Sequence, residues 1–344
     1  MGHGNSLYGN RHSVSDDSAV TRVFKPLTIQ NLICDVPLFL APMAGITHSA
    51  FRRLVASFGG YGALFTEMIP VHPLLAYNLH HSPLTKRRDE EGVVICQMVI
   101  TSPDSIGAAV KRLQTLAPAM VDINLGCPAP MITRKGGGRA LHDDLERLKT
   151  VLDTVRSSWH GPLSVKCRLG HETPDWQEQF LRRLALYREA GIDALTVHPR
   201  FFHEKLKRYA RWQYFPWIRE HWKGPLVGNG DMVDAKALAL LDNGSCDGLM
   251  IGRAAVQKPW IFRQLSGEAV DIDYCDVWER LYRFTAEDFE PHRILPRMKE
   301  FTSYFAKNFF FGHELFRLGQ GAASCEELHP RVTGFLRAGP RLSR

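Results

Sequence analysis

The chain has no C-x-x-C pair and no His/Cys group at zinc-ligand spacing, although it carries seven cysteines. An odd, scattered set of thiols excludes a disulfide framework, speaks against a metal site, and points to a reducing compartment, the cytoplasm. No apolar run approaches the length of a bilayer-spanning helix, so no membrane association is expected. Residues 1–20 are rich in Gly, Ser, Asn, Asp and His without an apolar stretch, and read as a disordered leader rather than a signal peptide. No G-x-G-x-x-G joins a strand to a helix, which counts against an open dinucleotide-binding sheet. The remaining composition, 44% hydrophobic and 23% charged, is that of a soluble globular protein. A net charge of +7 is a modest pointer to a polyanionic partner.

Strand-like and helix-like stretches then alternate. Short, apolar, β-rich runs fall at 38–40, 63–67, 93–98, 120–124, 163–168, 194–198, 225–229 and 248–251. Helical periodicity separates most of them, at 49–58, 102–116, 143–159, 176–190, 233–243 and 254–265. Strands buried on both faces read as unbroken apolar runs, and eight strand-then-helix units predict an α/β TIM (β/α)8 barrel. Residues 24–34 read as a hairpin closing its bottom. After about residue 270 the helical pattern continues without strands. The expected organisation is therefore a leader over 1–20, a barrel over 21–268 and a small all-α helical domain over 269–344.

Polar residues cluster at or just beyond the strand ends: Met43, Glu67, Gln97, Asn124 with Cys127, Lys166 with Arg168, His198 with Arg200, Asn229 with Asp231, and Gly252 with Arg253. In a barrel these positions meet at one mouth. Glycines in 228–231 and at 252, beside Arg253, suit an anion held between the last two βα loops, where barrels commonly bind phosphate. With Lys166 across the mouth, the pattern suits flavin mononucleotide, the ammonium lying near the pyrimidine edge of the ring. Cys127 follows the fourth strand in INLGCPAP and precedes the basic, glycine-rich KGGG. A thiol on a Pro-stiffened loop at a strand end suits proton delivery or removal.

The stretch 200–223 holds seven Lys/Arg, two Glu and eight aromatics. Basic groups neutralise phosphates and aromatic faces stack unpaired bases, so the mixture suits looped or single-stranded RNA. Trp and Phe are expected largely buried, with Arg200, Lys205, Lys207, Arg208 and Arg211 facing outward. The carboxyl-terminal part divides by charge: seven acids to two bases over 271–290, then nine bases to four acids over 291–344.

Taken together, LAPMAGITHSAFR, TEMI, VVICQM, INLGCPAP, KGGGRAL, SVKCRLG, TVHPR, VGNGDM and IGRAAVQKPWIF resemble the motifs of the tRNA-dihydrouridine synthases over roughly residues 22–265. The resemblance implies FMN contacts from Pro42, Met43, Gln97, Lys166, His198, Asn229, Gly230, Asp231, Gly252 and Arg253. It implies Cys127 as the catalytic acid, with Asn124, Glu67 and Arg168 near the substrate base. The implied reaction is NADPH-driven reduction of uridine to 5,6-dihydrouridine in a structured RNA, tRNA foremost, by a monomer without a metal. The sequence departs from the family in having His198-Pro199-Arg200-Phe201 after the sixth strand, and in a short, Arg-rich end. Two rivals remain: an FMN barrel acting on a free pyrimidine, and an RNA-binding protein without turnover.

Overall fold

Eight short strands pair in parallel and close on themselves. They are β1 (Leu38–Leu40), β2 (Ala63–Phe65), β3 (Val94–Val99), β4 (Met120–Asn124), β5 (Leu163–Gly170), β6 (Ala194–Phe201), β7 (Leu226–Asn229) and β8 (Gly248–Ile251). Each pairs with its neighbour in sequence; β8 pairs with β1 and β2 with β3, so the sheet has no break in the ring. This computed structural model describes residues 22–343 apart from Tyr77, Lys205 and Lys207. The leader expected at 1–20 lies outside the described residues, as do the two lysines.

Alternate strand residues point inward, and their character changes with height. At the bottom Phe39, Phe65, Ile95, Met120, Ala194, Val227 and Met250 pack against Leu27, Ile29 and Leu32. These last come from an antiparallel hairpin, Leu27–Ile29 with Leu32–Cys34, which plugs the barrel as expected. Toward the carboxyl ends the inward positions turn polar, and these build the site. Helices cover the outside. Leu145–Ser158 begins where the Asp144 carboxylate accepts from the Arg147 N–H (3.0 Å), and it buries Leu148, Val151, Leu152 and Val155 at helical spacing. The helix expected at 233–243 is instead a 3-10 turn, Ala235–Leu238, running into one α-turn, Ala239–Asp242. Strands β5 and β6 run further than expected, with a register shift between Arg168 and Gly170.

Four helices, Tyr274–Asp288, Pro291–Phe305, Gly312–Gln320 and Cys325–Arg337, form the carboxyl-terminal region. It docks on the helix Ser49–Ala56, with Phe51 against Phe301. The Asp288 carboxylate is buried there and accepts from Ser49 Oγ (2.5 Å), Lys86 Nζ (2.7 Å) and Arg88 (2.9 Å), while Glu287 pairs with Arg53 (2.6 Å). Part of the acidic charge of 271–290 is therefore matched by barrel cations. Among the described residues no helix is long and apolar enough to cross a membrane.

Candidate active site

The Cys127 loop is shaped by a chain of side-chain hydrogen bonds rooted in the barrel. Asp122 and Asn124 both point inward from β4, Gln97 from β3 and Ser164 from β5. Asp122 accepts from Ser164 Oγ (2.5 Å) and from Gln97 Nε2 (2.7 Å). Gln97 Oε1 in turn accepts from Asn124 Nδ2 (2.8 Å), and Asn124 Oδ1 accepts from the N–H of Gly126 (3.2 Å) and of Cys127 (2.9 Å). A carboxylate only accepts and a backbone N–H only donates, so the two ends of the chain fix both amide orientations between them. Burial pushes the Asp122 carboxyl up to about 6, against the Ser164 and Gln97 hydrogen bonds that oppose it.

From the other side the loop is held by its glycines. A Cβ on Gly138, which has φ +56°, would lie 2.6 Å from the Cys127 carbonyl oxygen, and the Arg139 N–H donates to that same oxygen (3.0 Å). The KGGG segment thus packs on the back of the Cys127 loop. Cys127 is half-buried. Cys34, Cys96, Cys167 and Cys246 are buried, and Cys167 faces away from the mouth toward Tyr187, as its place between Lys166 and Arg168 predicts.

Beside this loop lies a cavity of about 210 Å³ between the ends of β5–β8 and the β1 loop. Nine of the ten residues expected to touch FMN line it: Pro42, Met43, Lys166, His198, Asn229, Gly230, Asp231, Gly252 and Arg253. The tenth, Gln97, is fully buried beneath, with both ends of its amide engaged. Among the described lining residues, Lys166, Arg168, Arg200 and Arg253 face a single carboxylate, Asp231. Lys166 Nζ donates to Asn229 Oδ1 (2.8 Å), whose Nδ2 donates to the Met250 carbonyl (2.8 Å). Burial lowers Lys166 to about 8, Asp122 only partly restoring it. His198 is held well below its ordinary value by burial and then by Lys166, Arg168, Arg200 and Arg253. Arg200 Nη1 lies 2.5 Å from His198 Nε2 and can only donate, so that nitrogen accepts and the neutral ring carries its proton on Nδ1. Burial pushes the Asp231 carboxyl up, but the Arg200 and Ala210 hydrogen bonds and the Arg200 and Arg253 charges outweigh it and hold it low. An ionised carboxylate does not face a phosphate. Asp231 instead aims Arg200 (2.5 Å) and Arg253 (3.0 Å). Gly230, at φ +108°, leaves no room for a Cβ, which would lie 2.7 Å from the His198 ring. A lining with more cations than carboxylates, beside a backbone turn without side chains, fits a phosphate-bearing, anionic ligand such as FMN.

The segment after β6 departs from expectation. Arg200 is 1% exposed, donating to Asp231, to the Arg208 carbonyl (2.7 Å) and to His198, so it does not face outward. Arg211 is also withdrawn, bridging Glu172 (2.7 Å) and Glu204 (2.8 Å) over the Phe201 ring. That guanidinium fills the place between Glu172, His203 and Glu204, three groups close enough to share a cation. The Trp212 indole donates to the Gly230 carbonyl (2.8 Å) and the Ala210 N–H to Asp231 (2.7 Å), which ties residues 210–212 to the rim of the mouth. Phe215 and Trp222 are buried as expected, whereas Trp212 and Trp217 are partly exposed. Arg208 and Tyr209, the latter 87% exposed, remain outward.

Glu67 lies at the far side of the mouth, outside the cation-lined cavity. Its Oε2 accepts from the Gly45 N–H (2.6 Å), and its Oε1 is buried without a partner among the described residues. Burial raises its carboxyl; Gly45, Arg297 and Arg52 oppose this and Glu300 adds to it. Arg297 and Glu300 come from the helical region, so the helix Pro291–Phe305 reaches the site. Sequence reasoning missed both residues, and also Asp122, whose alternation with Asn124 in an otherwise apolar strand was the available signal.

A family model described as dihydrouridine synthase matches residues 39–316. The tRNA-dihydrouridine synthase B of Pasteurella multocida (strain Pm70) is 32% identical over 227 residues, 66% of this chain and 68% of the relative. That of Klebsiella pneumoniae is 34% identical over 229 residues, 66% and 70% of the two chains. Among solved structures, an old yellow enzyme homologue from Zymomonas mobilis superposes with a TM-score of 0.55 at 14% identity, covering 74% of this chain and 96% of the other. A morphinone reductase in complex with tetrahydroNAD gives 0.53 at 14% identity over 71% and 91%. At that identity the likeness is one of fold, a barrel shared. The family match spans most of the chain and includes the strand-end residues described above, and the chain belongs to the dihydrouridine synthase family.

Proposed function

We propose that this protein reduces a uridine of tRNA to 5,6-dihydrouridine in the cytoplasm, with FMN as cofactor, NADPH as reductant and Cys127 as general acid. The observation that carries the reading is a thiol loop locked by Asn124 at the edge of a cavity where four cations face one carboxylate. Lys166, Asn229, Gly230, Gly252 and Arg253 would hold the cofactor, and His198 would offer it an Nδ1–H. When bound and reduced by NADPH, FMN supplies the hydride equivalent that ends on carbon 6 of the uracil. Cys127 gives its proton to carbon 5, so hydride and proton together add one H2 across the bond. Lys166 and Arg168 place positive charge where negative charge builds on the pyrimidine during the reaction. The base must leave its stack to reach the mouth, at a cost of a few kcal/mol that is least in an open or strained loop.

The test is direct. Purified protein should be yellow, be bleached by NADPH, and convert uridine in a tRNA transcript to a product heavier by one H2. A colourless protein that takes up no FMN, or one that forms no dihydrouridine in any tRNA, sinks the reading.

A further inference from the structure

A second cavity, of about 340 Å³, lies next to the first, and Arg253, Val233 and Ala254 line both. Its other walls come from two parts of the molecule. Gln257 and Lys258 end and cap the short helix after β8, and Tyr304 and Lys307 belong to the end of the helix Pro291–Phe305 and the turn after it. Among its described lining residues there are three cations and no carboxylate.

The backbone that carries each lysine is fixed. Lys258 caps the helix Arg253–Gln257, its N–H donating to the Ala254 carbonyl (2.8 Å), and Pro259 prevents the helix from running on. Lys307 sits in the turn Ala306–Asn308 with its ammonium over the Tyr304 ring (5.2 Å). Asn308 Nδ2 donates to the Gln257 carbonyl (2.6 Å), joining the two walls through the immediate neighbours of the two lysines. Among the described residues neither Lys258 nor Lys307 has an acidic partner, whereas Arg200, Arg211 and Arg219 in the segment after β6 all do. Lys258 is half-buried and Lys307 exposed, and with no carboxylate among the described residues to pair with either, their charge is left for an anion in the cavity. The exposed rings of Phe310 and Phe311, 56% and 54% exposed, follow three residues beyond Lys307.

We infer that this seam is a subsite for a phosphodiester of the RNA backbone, held by Lys258 and Lys307 next to the nucleotide that enters the barrel. The inference rests on the uridine-reducing reading above. Arg253 lines both cavities and so joins the seam to the mouth, and a strand lying along the seam runs toward the barrel site. The contact is to the backbone, and it adds affinity and register without base preference.

The test uses the holoenzyme of a Lys258→Ala/Lys307→Ala double variant, which leaves Arg253 in place. Expected are unchanged flavin content, unchanged bleaching by NADPH, and unchanged turnover at saturating RNA. The KM for the RNA should rise about tenfold, and the log–log salt dependence of binding should flatten by about 1.4–1.8, the release expected for two lost phosphate contacts. Lys258→Arg/Lys307→Arg should restore both. An unchanged KM and salt slope would overturn the subsite. So would slower bleaching by NADPH with normal bleaching by NADH, which would mark the seam as a place for the dinucleotide's extra phosphate. Should the wild-type enzyme form no dihydrouridine, the functional reading fails; should only the variant behave as wild type, the subsite alone fails.

Discussion

Asn124 is the most exacting place to perturb this protein, because its amide links the barrel interior to the thiol loop. In Asn124→Ala the fully buried Gln97 Oε1 loses its donor, and the N–H groups of Gly126 and Cys127 lose their acceptor. The buried oxygen costs ~1–3 kcal/mol, while water can reach the half-buried loop N–H groups, so the total is about 2–4 kcal/mol. The loop then moves, and an error of about 1 Å in the thiol position lowers turnover by roughly 10². Asn124→Asp is more telling. Its carboxylate would still accept from both loop N–H groups but would face Gln97 Oε1. If Gln97 turned over, its oxygen would face Asp122 instead. One carboxyl of the pair must then hold a proton, and burial already pushes Asp122 up to about 6. A carboxyl whose folded value lies above its unfolded one stabilises below the unfolded value, and that stability is lost as pH rises through the folded value. Denaturation midpoints of Asn124→Asp should therefore approach wild type at about pH 5 and fall well below it at about pH 8. Equal deficits at both pH values would refute the chain of amide orientations, and so would full activity in Asn124→Ala.

Other consequences can be checked separately. Cys127→Ala should keep FMN and its reduction by NADPH yet lose dihydrouridine formation by about 10² to 10⁴ in single turnovers with pre-reduced enzyme; near-normal turnover would remove the acid role. Arg253→Ala should weaken FMN binding by ~1.5–3 kcal/mol, toward the lower end because the side chain is 43% exposed, as read by flavin retention on dialysis. FMN affinity should be flat below pH 8 and fall above it by up to about tenfold per unit, since Lys166 at about 8 loses the charge that faces the anion; a flat profile would exclude that contact. Arg211→Ala should cost roughly 3 kcal/mol in chemical denaturation by stranding the buried Glu204, whereas Arg208→Ala should leave stability unchanged and flatten the salt dependence of RNA binding by about 0.7–0.9.

The barrel was legible because each of its strands is covered on both faces. Away from its carboxyl end such a strand has no polar side to write into the sequence, so all eight stand out as apolar runs, most of them separated by helical stretches. Strand length was less legible. β6 continues through Pro199 to Phe201 because it follows β5 past a register shift, and nothing local announces a shift that depends on two strands together. The stretch 233–243 carries helical spacing, but there Asp234 accepts from the N–H two residues on and the chain turns tightly before it turns α-helical. The strand-end positions survived well, since a residue's height in a barrel is set by its distance from the strand end. That is why Met43, Lys166, His198, Asn229 and Arg253 meet around one cavity although they are far apart in sequence.

Ion pairing was the part that sequence could not show. A window from 200 to 223 counts seven bases against two acids, and looks like a nucleic-acid face. Most of the acids that meet it lie outside the window: Asp231 takes Arg200, Glu172 and the window's own Glu204 take Arg211, and Asp247 takes Arg219. Each of these pairs except Glu204–Arg211 spans more than one secondary element, so three of the seven cations are neutralised by folding and the window count overstates what solvent and RNA meet. The reverse holds for Lys258 and Lys307. Each stands alone among apolar and aromatic residues, in AAVQKPWIF and YFAKNFFF, where no averaging window registers a basic patch. The fold sets them across one cavity and, among the described residues, supplies no acid to either. Unmatched charge, rather than charge as such, is what attracts a polyanion, and it becomes visible only when every carboxylate has been assigned to its partner.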